Sequence, residues 1–272
     1  MNKSINSHVP VVILCGGKGA RLREETEYRP KPLIKIGQMP ILWHIMKIYS
    51  FYGFKNFILL LGYRGEMIKN YFLNFEVMVN DFTLKLRTYG KEKVTLHNHL
   101  ELEDWDITFV DTKLDTPTGG RIKKAEKYLK PFDRFMATYG DGVADIDVNK
   151  LYKFHLRKKT IGTLSGVQPA SQFGVVEVKK GMAKTFKEKP RMRGFINGGF
   201  FVFEREFLKM LKEDSVLEQE PLKKLSAKQQ LSVYKHTSYW QCMDTFKQAE
   251  WLNKAWDNGD RSWAIWERGN EK

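Results

Sequence analysis

Leu14 to Leu33 reads LCGGKGARLREETEYRPKPL. It continues Val11 to Leu14, a run of apolar residues with the length and branching of a buried strand, and it brings Gly16, Gly17 and Gly19 close together at the strand's end. A strand running into a glycine-rich loop presents bare backbone N–H groups at its tip, and without Cβ atoms those amides can close around an anion. The loop therefore predicts a phosphate site at the end of a strand. Neither common phosphate loop fits. A dinucleotide fingerprint starting at Gly17 requires glycine where Leu22 stands, and a P-loop requires Gly-Lys-Ser/Thr after a four-residue gap. Two cations at fixed offsets, Arg21 and Lys31, stand in this stretch instead. Pro30 and Pro32 flank Lys31, fixing their own φ and pushing the residue before each toward extended geometry, so the lysine is held on a stiff segment. An ordinary surface turn with solvated bases is the competing reading of the same residues.

Outward from this stretch, strand and helix signals alternate. Pro40, the apolar Ile41, Leu42, Ile45, Ile48 and Tyr49, and Gly53 past the end predict a punctuated helix. Phe57 to Leu61 reads as a buried strand and Glu66 to Phe75 as a helix. Phe82, Leu84 and Leu86 alternate with polar residues as in a half-buried strand. Ile107 to Val110 is a strand, Arg121 to Leu129 a helix with Ile122, Ala125 and Leu129 inward, and Phe135 to Tyr139 a strand. This succession predicts an α/β fold, a doubly wound, mostly parallel (Rossmann-like) sheet with ligand at the carboxyl ends of its strands. In the second half, Ile161 to Val167, Val175 to Val178, Ala183 to Phe186 and Phe200 to Phe203 read as strands that either extend the sheet or form a smaller β-rich substrate-side extension. Helices follow near Phe207 to Leu211, Glu218 to Gln229 and Phe246 to Trp256. With no linker or internal repeat, residues 1–272 are expected to form one domain, with a glycine-rich half at about 8–150 and a second half at about 151–272.

The formal net charge of +14 concentrates anionic partners. Nucleic acid is not expected among them, because the basic residues are scattered and no recognition module is present. No apolar run of about 18 residues is available to span a bilayer, and Met1 to Pro10 has no hydrophobic signal segment, so a cytoplasmic protein without a membrane partner is expected. Cys15 and Cys242 have neither disulfide-framework nor zinc spacing and are expected to be reduced thiols in packed positions. His97 and His99 lie on one face of a possible strand but lack a third zinc ligand, and a solvated loop is the better reading. His44 is expected to be a satisfied core histidine. Trp251, Trp256, Trp263 and Trp266 fit either a subunit contact or internal packing, and a homo-oligomer is expected.

Gly-Gly-x-Gly-x-Arg-Leu followed by Pro-Lys-Pro-Leu resembles the signature of the sugar-phosphate nucleotidyltransferases, and Ile36-Gly37 with Pro40 to Met46 is closest to its glucose-1-phosphate cytidylyltransferase branch. The likeness continues in Thr118-Gly119-Gly120-Arg121, Tyr139-Gly140-Asp141-Gly142-Val143, Glu188-Lys189-Pro190, Ile196 to Phe201, Trp240-Gln241 and Met243-Asp244-Thr245. Cys15 and Ala20 depart from it, standing where the family more often has Ala and Thr, and residues 76–105 match poorly. Ala20 lacks a hydroxyl that could reach a phosphate.

The resemblance implies transfer of a cytidylyl group from CTP to a sugar 1-phosphate, foremost glucose 1-phosphate, by in-line attack on the α-phosphorus with release of pyrophosphate. The phosphate acceptor is already ionised near pH 7, so the task is to hold two repelling anions together and neutralise charge. Leu14, Gly16, Gly17, Gly19, Arg21, Lys31, Thr116, Arg121 and Gly140 would hold the nucleotide, with Arg21 on the departing phosphates and Lys31 over the α-phosphate. Asp141 and Asp244 would bind Mg²⁺ together. Glu188, Lys189, Asn197 and Gly198 would hold the sugar phosphate. On the residues alone, Asp141 equally suits a turn, Asp244 a helix cap and Arg121 a helix-surface cation. Another nucleoside triphosphate, another phosphorylated acceptor, or a non-catalytic nucleotide-binding relative are the alternatives.

Overall fold

The computed structural model describes residues 5–87, 93–97, 103–171, 173–192 and 194–268. Seven strands form its central sheet, in the order Leu231–His236, Gly162–Val167, Ile196–Glu204, Arg134–Tyr139, Val11–Cys15, Asn56–Leu61 and Asp106–Asp111. Only Ile196–Glu204 runs against its neighbours; every other adjacent pair is parallel. Both halves of the chain contribute strands to this sheet. Gly162–Val167 and Ile196–Glu204 extend it, whereas Val175–Lys179 and Met182–Lys187 make a separate antiparallel ribbon exposed along its whole length.

The strand Val11–Cys15 is apolar without alternation because it is covered on both sides. Val11, Ile13 and Cys15 join a core with Phe57, Leu59, Met136 and the helices Ile41–Phe51 and Phe246–Asp257. Val12, between them, faces the other core with Ile58, Leu60, Ala137 and Ile122. Successive side chains of a strand point to opposite faces, so each inward position is filled from a different helical layer. The three apolar residues predicted on the helix from Arg121 are buried, but that helix is broken at Ala125 into Thr118–Lys124 and Glu126–Leu129. The helix predicted over Glu66 to Phe75 likewise ends at Leu73 and restarts at Phe75.

Phe82, Leu84 and Leu86 depart from expectation. The strand covers only Phe82–Leu84, pairs with Val94–Leu96 outside the main sheet and is exposed throughout. Period-two patterning marks a pleated ribbon, and burial additionally needs a layer to lie against one face. His97 hydrogen-bonds Thr83 at the end of this hairpin; Asn98 and His99 lie outside the described residues. Among the described residues no helix is long and apolar enough to cross a membrane.

Candidate active site

Three strand ends converge on the glycine loop. Val11–Cys15 feeds directly into it, Asn56–Leu61 lies on one side and Arg134–Tyr139 on the other, with Leu14 paired to both Leu60 and Tyr139. Gly19 has φ +63°, a left-handed conformation that favours glycine. At Gly16 a Cβ would fall 2.2 Å from the Arg121 guanidinium, so the loop's first turn closes on that side chain.

Arg121 is only 4% exposed. Its Nη1 donates to the carbonyls of Leu61 (3.2 Å) and Lys113 (2.7 Å) and to Thr112 Oγ1 (2.5 Å), and its Nη2 donates to the carbonyls of Gly16 (3.0 Å) and Leu114 (2.8 Å). Burial pulls its pKa below the usual arginine value. The surface-cation reading of Arg121 is thereby overturned, because the residue lies inside the fold and ties the glycine loop to the end of Asn56–Leu61 and to the turn after Asp106–Asp111. Thr116 caps the same arrangement by donating to the Thr112 carbonyl.

Lys31 begins a single 3₁₀ turn, Lys31–Leu33, with Pro30 extended before it (φ −68°, ψ 144°) and Pro32 buried beneath. The turn aims the ammonium group at two carboxylates. Nζ donates to Asp141 Oδ2 at 2.6 Å and to Asp244 Oδ1 at 2.6 Å, and Arg21 reaches the same Asp244 oxygen at 3.2 Å. Burial alone would lower the Lys31 pKa; the two aspartates outweigh it and hold the pKa above the usual value.

Asp141 and Asp244 are distant in sequence, and a short ribbon brings them together. Trp240–Cys242 pairs antiparallel with Gly142–Ala144, Cys242 opposite Gly142, and the ladder is extended by Met243 N donating to the Asp141 carbonyl at 2.8 Å. Asp244 is not the cap of the helix that follows. Thr245 takes that position in a capping box with Gln248, whose Oε1 also accepts from Asp244 N at 2.7 Å. The backbone is thus secured by neighbours and the Asp244 carboxylate is left for the cleft.

Two adjoining cavities open here, sharing Arg21, Tyr139 and Asp141 as a common wall. The larger, about 370 Å³, is lined by Leu14, Gly16, Gly17, Gly19, Arg21, Lys31, Thr116, Arg121, Gly140 and Asp141. The smaller, about 280 Å³, is lined by Asn197, Gly198 and Asp244 together with Trp240 and Cys242. Glu188 and Lys189 line neither. They stand exposed just past the ribbon strand Met182–Lys187, 3.7 Å from each other, with Lys189 at φ +44°. Sequence reasoning did not single out Tyr139 or Trp240 as site residues, although both neighbour motif positions: Tyr139 ends the strand that presents Asp141, and Trp240 begins the strand that leads to Asp244. Trp240 Nε1 donates to the Gly198 carbonyl at 2.8 Å and fixes one side of the smaller cavity.

The donor set suits a hard divalent cation. Two carboxylate oxygens already converge on one cationic point, the Lys31 ammonium, and oxygen is the ligand type such ions take. Among the described residues no cluster of three or more His, Cys, Asp or Glu side chains is present, so any cation held here would have two protein carboxylates and would complete its shell with water and phosphate oxygens. Cys15 is buried and Cys242 half-buried, and both are free thiols; burial raises the pKa of each, that of Cys242 to about 11.

A family profile described as Nucleotidyl transferase matches residues 10–257. The chain is 46% identical over 257 residues to a protein of Bacillus subtilis (strain 168) named "Probable glucose-1-phosphate cytidylyltransferase", covering 94% of this chain and 99% of that one. It is 41% identical over 258 residues to the glucose-1-phosphate cytidylyltransferase of Salmonella typhimurium, with the same two coverages. The crystal structure of HddC from Yersinia pseudotuberculosis superposes with a TM-score of 0.64 at 20% identity, over 91% of this chain and 99% of HddC, which shows a shared fold.

Proposed function

Because the chain belongs to the nucleotidyl transferase family, we propose that it transfers the cytidylyl group of CTP to glucose 1-phosphate, forming CDP-glucose and pyrophosphate. The observation that carries this reading is Lys31 held between Asp141 and Asp244 where a nucleotide-sized cavity meets a smaller one. A single domain, residues 1–272, serves both substrates, the glycine-rich half (about 8–150) binding CTP and the second half (about 151–272) binding the sugar phosphate.

CTP enters the larger cavity with its phosphates on the amides of Gly16, Gly17 and Gly19, between Leu14 and Gly140. Arg21 receives the β and γ phosphates, which leave together. Lys31 lies over the α-phosphate and neutralises the charge that builds there as the acceptor oxygen closes in line. Thr116 borders the same cavity. Arg121 acts by holding the loop, since five hydrogen bonds to protein oxygens already occupy its two terminal nitrogens. Asn197 and Gly198 face the sugar hydroxyls. Glu188 and Lys189 would reach the sugar phosphate from the exposed ribbon. No general base is needed, because the attacking phosphate is already an anion. Asp141 and Asp244 would hold Mg²⁺, which when bound neutralises phosphate oxygens and acts as a Lewis acid.

The test is to incubate the protein with each nucleoside triphosphate, Mg²⁺ and a panel of sugar 1-phosphates while recording pyrophosphate. Release with CTP and glucose 1-phosphate well above every other pair is expected. Preference for another triphosphate would overturn the base assignment, and no release from any pair would overturn transferase activity.

A further inference from the structure

Glu218 belongs to no motif and lines neither cavity, yet it joins both sides of the cleft. Tyr139 Oη donates to its Oε1 at 2.5 Å, and Thr118 Oγ1 donates to its Oε2 at 2.8 Å. Thr118 lines the larger cavity and Tyr139 lines both. The segment that carries Glu218 is locked to the start of the helix Thr118–Lys124: Leu217 N donates to Thr118 Oγ1 at 2.9 Å, Gly120 N donates to the Ser215 carbonyl at 2.9 Å, and a Cβ at Gly120 would lie 2.0 Å from the Glu213 carbonyl oxygen.

The proton count around Tyr139 gives this contact a direction. The Tyr139 hydroxyl is the donor in this contact and a carboxylate oxygen the acceptor. The Tyr139 oxygen is then left as an acceptor, and Asn197 Nδ2 donates to it at 3.2 Å. Asn197 Oδ1 in turn accepts from Gly199 N at 2.9 Å. Both ends of the amide are thereby assigned, on a residue that lines the smaller cavity.

We propose that Glu218 is a positioning residue for the acceptor: by accepting the Tyr139 hydroxyl hydrogen bond it sets the orientation of Tyr139 and Asn197 at the wall of the sugar-phosphate cavity. The inference rests on the sugar-phosphate reading of that cavity. Glu218→Gln keeps size and packing but introduces an amide that donates to one of the two hydroxyl oxygens, which reverses part of the relay. A role in packing alone would leave this variant unchanged.

The experiment measures KM for glucose 1-phosphate and for CTP, with melting temperature alongside, in wild type, Glu218→Gln, Tyr139→Phe and the double variant. Each single change is expected to raise KM for the sugar phosphate about tenfold while KM for CTP stays within about twofold, and the double variant is expected to match either single one, because the residues act as one unit. An unchanged sugar-phosphate KM in Glu218→Gln, an equal rise for CTP, or multiplying effects in the double variant would overturn the proposal. A wild type that releases no pyrophosphate would overturn the functional reading and this inference with it.

Discussion

At the level of single residues, His44 shows how a buried polar side chain is settled by a neighbouring ring and the backbone. His44 is fully buried, its Nε2 bonded to the Ile36 carbonyl at 3.0 Å while Trp263 Nε1 donates to its Nδ1 at 3.4 Å. Accepting at Nδ1 leaves the proton on Nε2, so the ring is neutral. Burial pulls its pKa down to about 4, against the opposing bonds from Ile36 and Met39. The unfolded chain takes up this proton near pH 6.5 and the folded chain only near 4, so stability is full above the first value and is lost as pH falls between them. From pH 7.5 to 5, His44 is expected to cost about 2 kcal/mol, and His44→Gln should remove most of that slope in urea unfolding. An unchanged slope would mean that other groups set the acid limb. The expectation of a satisfied core histidine is met, and Trp263 is fully buried beside it, with Trp256 and Trp266 packed against the same core.

At the level of elements, the helix Phe246–Asp257 shows how a local signal serves the site. Its capping box places Thr245, not Asp244, at the N-cap, so one residue anchors the helix and its neighbour faces the cleft. Thr245→Ala is expected to cost about 1 kcal/mol and to lower the melting temperature by about 2–4 °C. It should also reduce kcat several-fold at a temperature well below the transition, because Asp244 loses its aim. A lower melting temperature with unchanged kcat would contradict the link between cap and carboxylate. Strand and helix succession was legible here because apolar runs such as Val11 to Cys15 carry the two-sided burial of a parallel sheet in their composition. The glycine loop and stiff Lys31 were legible because glycine opens backbone conformations that other residues avoid and proline fixes its own φ. The pairing of Trp240–Cys242 with Gly142–Ala144 was not, since three-residue strands leave no periodicity to read. Glu218 was equally hidden: its role comes from Tyr139 and Thr118, far away in the chain. The alternation at Phe82 to Leu86 misled because it shows a ribbon without showing what covers it.

Across the whole molecule, the sheet's strand order puts the tips of Val11–Cys15 and Arg134–Tyr139 side by side, and the C-terminal part of the chain returns to place Asp244 beside them. One lysine then lies 2.6 Å from each of two aspartates contributed by distant segments. Such a constellation costs stability unless charges balance within it, and it concentrates the groups needed to bring two anionic substrates together. We propose that these two carboxylates act jointly in catalysis. Pyrophosphate release from CTP and glucose 1-phosphate, measured for Asp141→Asn and Asp244→Asn against wild type with folding checked by circular dichroism, tests it most directly. Each variant is predicted to stay folded and lose about 10²–10³-fold in kcat, in keeping with losing a group that stabilises transition-state charge; near-wild-type turnover in either folded variant would show that the carboxylates do not act together.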